Sequence, residues 1–304
     1  MNNISIRNIT RSYGNVAAVK DVSLEIHSGE LFGLIGPDGA GKTTLFRILT
    51  TLLLADKGES TVCGFDIKRD WREIRRISGY MPGRFSLYQD LSVAENLNFF
   101  ATVFKTTVKD NYDLIHDIYV QIEPFADRRA GKLSGGMKQK LALCCALIHR
   151  PRVLFLDEPT TGVDPVSRKE FWDILDKIKK LGITILVSTP YMDEAARCDR
   201  ITLMRDGECL QVDTPDNIRS SFPHKLLAVK GENMYQLLGD IRAYNGTYTC
   251  HAFGDKHHLI LKDNSSDITS LLDYLTKKGH KGVDIASMRP TIEDCFMDFE
   301  TQKT

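Results

Sequence analysis

The amino-acid sequence predicts an α/β domain followed by a smaller α+β domain. Two observations predict the first domain. An apolar run at 31–35 leads through a glycine-rich turn into a helix-compatible segment at 44–53, and a second apolar run at 153–156 ends in two acidic residues. From about residue 225 the pattern becomes strand, helix, two strands, helix and strand. This βαββαβ order predicts a ferredoxin-like unit.

The glycine-rich turn has the composition of a phosphate-binding loop. Its glycines let consecutive backbone N–H groups converge on phosphate oxygens, and the following helix adds partial positive charge. Lys42 would reach the β- and γ-phosphates of a nucleotide, and the Thr43 hydroxyl would bind Mg²⁺. The alternative, an ordinary glycine turn, does not account for the flanking strand and helix. The predicted nucleotide-binding residues here are Gly36, Pro37, Asp38, Gly39, Ala40, Gly41, Lys42, Thr43 and Thr44.

Two carboxylates follow the second apolar run. Asp157 is placed to hold Mg²⁺ through water, and Glu158 to orient or deprotonate the attacking water. A solvated turn is the alternative, but four apolar residues precede the pair and Pro159 ends it. The pair therefore predicts Glu158 as the catalytic residue and Asp157, with Thr43, as a metal ligand.

A second anion site is predicted where another helix begins. Ser134, Gly135 and Gly136 precede a helical stretch at 138–148, so their backbone N–H groups would face an anion. The alternative is that Ser134 is a helix N-cap with no ligand.

Three motifs follow one another along the chain: the phosphate loop, the Leu133–Met137 signature and the acidic strand end. Together they resemble the ATP-binding cassette (ABC) family, over residues 1 to about 217. The resemblance implies a P-loop ATPase fold with a mixed sheet core, a small antiparallel β subdomain and a helical arm at about 91–148. In the family the signature serves the γ-phosphate of a nucleotide held by a different cassette, so a dimer is implied. Met137 replaces the glutamine common there.

Near the N-terminus, Tyr13 stands at the adenine-stacking position of the family. Stacking of a base on an aromatic ring contributes about 1–3 kcal/mol. The alternative is an ordinary hairpin residue beside Gly14. The distance from Tyr13 to the phosphate loop along the chain favours the stacking role.

Two positions depart from the family pattern. Gly83 stands where the family has a glutamine near the metal and water, and Pro190 stands where it has a histidine that contacts the γ-phosphate. Losing one such donor costs about 10²–10³ in rate in other enzymes. We assign no substitute: Arg84 and Gln89 are expected to be surface loop residues, and His149 is expected to cap the carbonyls at a helix end.

The domains are predicted at 1–217 and 224–304. Residues 289–296 resemble the closing motif of a small domain that follows the cassette in drug-exporter-type ABC ATPases. A metal or redox module is the alternative. The sequence favours a strand pair with outward polar residues as the explanation of Cys250, His251, His257 and His258.

Composition predicts an intracellular protein. The formal net charge is zero, so no nucleic-acid surface is indicated, and seven cysteines without metal-like spacing fit a reducing compartment. No apolar run reaches membrane-spanning length, and Met1–Asn3 does not begin a signal peptide. We expect a cytoplasmic protein, held peripherally on the inner face of the membrane through permease subunits.

The resemblance implies an ATP-binding subunit of an ABC exporter, with ATP and Mg²⁺ as cofactors and membrane-spanning permease subunits and a second cassette as partners. Glycine and proline replacements like Gly83 and Pro190 occur in the first cassette of exporters that carry two in one polypeptide. A hetero-dimer, with this chain as its less active half, is therefore favoured. The alternatives are a regulatory nucleotide-binding subunit, and a soluble ABC ATPase with a charged linker or long heptads, neither of which this sequence shows.

Overall fold

Two sheets form the first unit, Met1–Pro215, of the computed structural model, which describes residues 2–262 and 268–302. A four-stranded antiparallel sheet has the order β2-β1-β4-β5, and a six-stranded sheet has the order β10-β9-β3-β8-β7-β6. In chain order the strands are β1 (Asn2–Tyr13), β2 (Val16–His27), β3 (Leu31–Ile35), β4 (Lys57–Val62), β5 (Phe65–Asp66), β6 (Ser78–Met81), β7 (Val153–Asp157), β8 (Thr184–Thr189), β9 (Arg200–Arg205) and β10 (Glu208–Asp213).

The six-stranded sheet is mixed. Its strands pair in parallel except for β10, which pairs antiparallel with β9. Every residue of β3, β7 and β8 is buried, as expected where a parallel sheet is covered on both faces. Ile35 pairs with Thr189, and Asp157 with Ser188, so the carboxyl ends of the three strands meet at one edge.

The described residues of this unit also form the α-helices α1 (Lys42–Leu49), α2 (Trp71–Ile77), α3 (Val93–Val103), α4 (Tyr112–Tyr119), α5 (Gly135–Leu147) and α6 (Pro165–Lys180). The predicted helical arm corresponds to α3, α4 and α5 with short 3-10 turns between them. The first helix ends four residues before the predicted Leu53, because Thr51 takes a left-handed φ of 61° and the amide of Leu53 turns back to the carbonyl of Arg47. The predicted mixed sheet, antiparallel sheet and arm are confirmed.

The second unit, Asp216–Thr304, has its own four-stranded antiparallel sheet of order β12-β13-β11-β14. Its element order is the βαββαβ order expected from the sequence, with one helix before it and one after. In chain order the elements are α7 (Pro215–Ser220), β11 (Leu226–Lys230), α8 (Met234–Ala243), β12 (Thr247–Phe253), β13 (Lys256–Leu261), α9 (Ile268–Lys277), β14 (Asp284–Met288) and α10 (Ile292–Gln302).

The expectation of outward polar residues on the β12–β13 pair is wrong for His257 and His258. Both are 3% exposed, because helices cover both faces of this sheet. His257 Nε2 bonds the carbonyl oxygen of Met234 at 2.7 Å, and His258 Nδ1 bonds Oδ1 of Asp294 at 2.7 Å. In the described part of the chain, no three His, Cys, Asp or Glu side chains cluster so that they could hold a metal ion.

All seven cysteines lie in the described residues and are free thiols. Within those same residues we find no helix that is both long and apolar enough to span a bilayer.

Candidate functional site

The glycine-rich loop connects β3 to α1 at the carboxyl edge of the six-stranded sheet. Two of its glycines are required by close neighbours: a Cβ on Gly36 would lie 2.1 Å from the carbonyl oxygen of Met204, and one on Gly41 would lie 2.1 Å from that of Ala18. Gly41 also has a left-handed φ of 102°. Since other residues do not fit there, these positions fix the path of the loop.

Lys42 places its ammonium inside the loop. The side chain is 2% exposed, and Nζ donates to the carbonyl oxygens of Gly36 at 2.7 Å and Pro37 at 2.9 Å. Oε1 of Glu158 lies 3.1 Å from the same Nζ. A buried cation beside the N-terminus of α1 is the charge pattern that binds phosphate. Among the other predicted loop residues, Pro37, Asp38 and Gly39 are exposed, Ala40 is buried and Thr44 is half-buried.

Asp157 and Thr43 form a pair of oxygen donors beside Lys42. The Thr43 hydroxyl donates to Oδ1 of Asp157 at 3.2 Å, and the Ser188 hydroxyl donates to the same oxygen at 2.7 Å. Burial raises the pKa of Asp157, although the hydrogen bonds from Ser188 and Thr43 oppose this shift. A hydroxyl and a buried carboxylate are ligands that suit Mg²⁺, and its charge would offset the cost of burying Asp157. Both residues therefore fit the predicted cation.

Glu158 begins a sharp turn directly after β7. Its φ of 50° is left-handed, an uncommon value for a residue that is not glycine. Its backbone N–H lies 3.1 Å from the carbonyl oxygen and 3.0 Å from the hydroxyl oxygen of Ser188, and donates to both. The Glu158 side chain is 20% exposed. Two bonds from the neighbouring strand thus hold a strained residue with its carboxylate partly open to solvent.

Ser188 also belongs to the site, although it was not predicted from the sequence. This residue is fully buried and contacts both acidic residues: its hydroxyl donates to the carboxylate of Asp157 and accepts from the backbone amide of Glu158. The available signal was its position directly after the apolar-rich run 183–187. Its partners are 30 or more residues away along the chain, so their contact requires the pairing of β7 with β8.

Tyr13 ends β1 and is 45% exposed. Its ring centroid lies 5.3 Å from the guanidinium carbon of Arg11. The same hairpin reaches the phosphate loop, where the carbonyl of Ala18 lies against Gly41. An exposed ring on a hairpin whose second strand touches the loop is available to stack on a base.

The predicted second anion site lies at the start of α5. Ser134 is the N-cap, with Oγ accepting from the amide of Met137 at 3.3 Å. Ser134 and Gly135 are exposed, and Gly136 packs against Ser167. The first helical N–H groups have no acceptor within an α-helix, so this exposed turn keeps free donors for a ligand.

Gly83 and Pro190, where the sequence departs from the family pattern, both lie beside the site. A Cβ on Gly83 would be 3.1 Å from the carbonyl oxygen of Asp157. Pro190 follows Thr189, whose carbonyl oxygen accepts from the amide of Gly36 at 3.2 Å. Neither residue supplies a side-chain donor.

Three residues were considered as substitutes for the glutamine and histidine that are missing at positions 83 and 190. Arg84 and Gln89 are exposed loop residues, as expected. His149 does not cap α5 as predicted: its Nε2 bonds the carbonyl oxygen of Ser78 at 3.1 Å, and its ring stacks on Phe104 at 3.7 Å. The prediction is wrong because the chain places this ring between an arm helix and β6. Burial lowers the pKa of His149 to about 4.

Comparisons with known proteins agree with this architecture. The ABC transporter family profile matches residues 19–161. The chain is 39% identical over 285 residues to the probable multidrug ABC transporter ATP-binding protein YbhF of Escherichia coli (strain K12), covering 92% of this chain and 49% of that protein. It thus spans about half of that relative. It is 33% identical over 298 residues to the Nod factor export ATP-binding protein I of Rhizobium sp. (strain N33), covering 97% and 95%.

A solved structure is also similar to the chain. It is the dimeric post-hydrolysis state of the ATP-binding cassette MJ0796 bound to ADP and Pi. The TM-score is 0.62 at 26% identity, and the match covers 69% of this chain and 98% of that one.

Proposed function

The chain belongs to the ATP-binding proteins of ABC transporters, and from this premise we propose that it binds MgATP and couples ATP binding and hydrolysis to export through separate membrane-spanning permease subunits. One observation supports the proposal most directly: two residues of the phosphate loop lie beside the two carboxylates that follow β7. Lys42 and Thr43 come within 3.1 and 3.2 Å of the two carboxylates, Glu158 and Asp157.

Each group has one role in this proposal. Lys42 and the loop N–H groups of 36–44 bind the phosphates, Tyr13 stacks on adenine, and Thr43 and Asp157 hold Mg²⁺. Mg²⁺ would neutralise charge that develops on the phosphates during transfer. Glu158 orients the attacking water or accepts its proton. The Lys42–Glu158 ion pair must loosen when phosphate enters, which frees the carboxylate for this role.

A second cassette completes the working unit. The exposed N–H groups at Ser134–Gly136 are suited to the γ-phosphate of a nucleotide held by that partner. The dimer of MJ0796 bound to ADP and Pi supports this arrangement. We further propose a hetero-dimer in which this chain is the less active half, because Gly83 and Pro190 supply no donor while the signature residues are present.

Of the transported substrate, we propose only that it is exported. YbhF is described as a probable multidrug transporter protein, and the Rhizobium relative by Nod factor export. We assign residues 1–217 to nucleotide binding and 224–304 to an accessory domain that contains no phosphate loop. The protein would be cytoplasmic and would reach the inner face of the membrane through its permease partner.

A regulatory subunit with little hydrolysis of its own is the second candidate. The same two positions favour it, because the residues that bind nucleotide are present and those lost belong to turnover. Turnover measured first on the chain alone and then with its membrane partners separates the two candidates.

An equilibrium titration with MgATP tests the proposed site. Lys42→Ala should weaken binding at least about 100-fold, because a buried cation that contacts the phosphates is lost. Lys57→Ala, which removes an exposed lysine in β4, is the matched control and should bind as the wild type does. Removing Mg²⁺ should weaken wild-type binding as well. Equal affinity of the wild type and Lys42→Ala would show that nucleotide does not bind here.

A further inference from the structure

A buried carboxylate, Glu194, lies in the 3-10 turn Met192–Arg197 that follows β8. It is 4% exposed and accepts hydrogen bonds from three side chains. Oε1 accepts from the Thr160 hydroxyl at 2.8 Å and from Nε of Arg168 at 3.1 Å, and Oε2 accepts from the Thr189 hydroxyl at 2.5 Å.

The three donors belong to three different segments, two of which are part of the proposed site. Thr160 lies two residues after Glu158, Thr189 ends β8 directly after Ser188, and Arg168 is in α6. Thr189 also contacts the phosphate loop, since its carbonyl oxygen accepts from the amide of Gly36 at 3.2 Å. One carboxylate therefore joins the turn of Glu158 to the end of β8.

The turn at Pro190 depends on the same carboxylate. Proline has no N–H, so the next amide available to hold the turn is that of Tyr191, which donates to the Thr189 hydroxyl at 3.1 Å. That hydroxyl in turn donates to Glu194. The Arg168 guanidinium carbon also lies 4.0 Å from the centroid of the Tyr191 ring, so a second partner of Glu194 holds the same residue.

Packing alone does not require a charge at this position. Burying a carboxylate carries a desolvation penalty that an apolar side chain of similar size avoids. What the carboxylate adds is two oxygens that fix three donors in one geometry.

We propose that Glu194 is a positioning residue for hydrolysis: through Thr160 and Thr189 it holds the Glu158 turn and the Pro190 turn in place at the phosphate loop. This inference rests on the proposed ATPase function. It predicts that Glu194 affects the rate of hydrolysis and the rigidity of the Glu158 turn, with little effect on nucleotide affinity.

Glu30 offers a matched control in the same unit. It is 7% exposed, accepts from Nε of Arg200 at 2.7 Å and from the amide of His27 at 2.7 Å. Glu30 directly precedes β3, whereas the phosphate loop directly follows β3. Glu30 therefore lies at the opposite end of this strand from the site. Glu30→Gln and Glu194→Gln each neutralise a buried carboxylate paired with arginine.

The test measures single-turnover hydrolysis by the purified full chain, in excess over labelled ATP, so that a partner's site does not contribute. Glu194→Gln should lower the rate constant about 10-fold with the Kd for MgATP changed less than about threefold, whereas Glu30→Gln should leave both unchanged. If Glu194→Gln does not fold, the isosteric variants Thr160→Val and Thr189→Val take its place. Since both act through Glu194, their combined effect should be smaller than the product of the single effects.

A second readout does not depend on hydrolysis. The amides of Thr161 and Val163 donate to the carbonyls of Glu158 and Thr160, each at 3.2 Å. Hydrogen exchange of these two amides should be faster in Glu194→Gln than in the wild type or Glu30→Gln, with and without MgATP. Equal rates and equal exchange in the two glutamine variants would overturn the inference. If the wild type did not hydrolyse ATP, the proposed activity would fail, and the exchange comparison alone would decide the role of Glu194.

Discussion

The phosphate-loop half of the site comes from consecutive residues at 36–44, whereas the acidic half is assembled from segments about thirty residues apart along the chain. In the first half, the path of the backbone and the N-terminus of α1 would provide the groups that bind phosphate. In the second half, the Ser188 hydroxyl of β8 bonds both the carboxylate of Asp157 and the backbone amide of Glu158. The difference indicates that glycine substitutions in the loop act through the backbone path and the backbone atoms packed against it, while substitutions in the acidic half act through side-chain partners.

The largest expected effect tests the loop half. Gly41→Ala would place a Cβ 2.1 Å from the Ala18 carbonyl oxygen, at a backbone φ of 102°. The Cβ of Gly39→Ala would have no atom within 4 Å, so this variant would be strained only by its φ of 82°. We expect Gly41→Ala to lower the free energy of unfolding by about 3 kcal/mol or more and Gly39→Ala by about 1 kcal/mol. Urea unfolding of both variants measures this. Equal losses would mean that the loop is not fixed by its neighbours.

A smaller effect is expected outside both halves, at His149. Its pKa is lowered to about 4 in the folded state from an ordinary value of 6.5. Between these values the unfolded chain binds a proton that the folded chain does not, so stability is lost as pH falls from 6.5 to about 4 and is unaffected above 6.5. The loss should reach about 3 kcal/mol near pH 4.

His149→Gln serves as the comparison, since it keeps an N–H donor for the Ser78 carbonyl but does not titrate. Unfolding free energies of both proteins at pH 7 and pH 4.5 give the measurement. The wild type should lose more stability than the variant. Parallel pH profiles would show that His149 is already charged or solvated in the folded protein.

Much of the fold was predictable because its patterns are local. The apolar runs at 31–35 and 153–156 predicted β3 and β7, and composition predicted the glycine-rich turn between β3 and α1. Residues that need a folded neighbour were missed. Ser188 meets Asp157 only when β7 and β8 pair, and Glu194 meets Thr160, 34 residues away, only in the folded chain. Nothing in the local sequence distinguishes Ser188 and Glu194 from other polar residues.

The wrong predictions have the same origin. His257 and His258 alternate along β13 and were expected to point outward, but each face of their sheet is covered by a helix from elsewhere in the unit. His149 follows α5 and was expected to cap it, but a neighbouring strand offers the carbonyl of Ser78. Sequence position alone does not reveal these distant partners.

If the proposed asymmetry holds, this chain contributes more through its signature than through its own hydrolytic site. Gly135→Asp adds bulk and negative charge to the anion site at the start of α5, while an acid in the first helical turn is compatible with the helix itself. Gly135→Ala is its control, because a Cβ there would lie 3.6 Å from the nearest atom, the Gly162 carbonyl oxygen, and adds no charge.

The deciding measurement is the ATPase rate, at saturating MgATP, of the complex assembled with every native partner. Gly135→Asp should lower this rate more than Glu158→Gln does, with Gly135→Ala close to the wild type, because the signature would serve the partner's more active site. If Glu158→Gln proved the more damaging change, this cassette would be the main catalytic one, and the inference from Gly83 and Pro190 would be wrong.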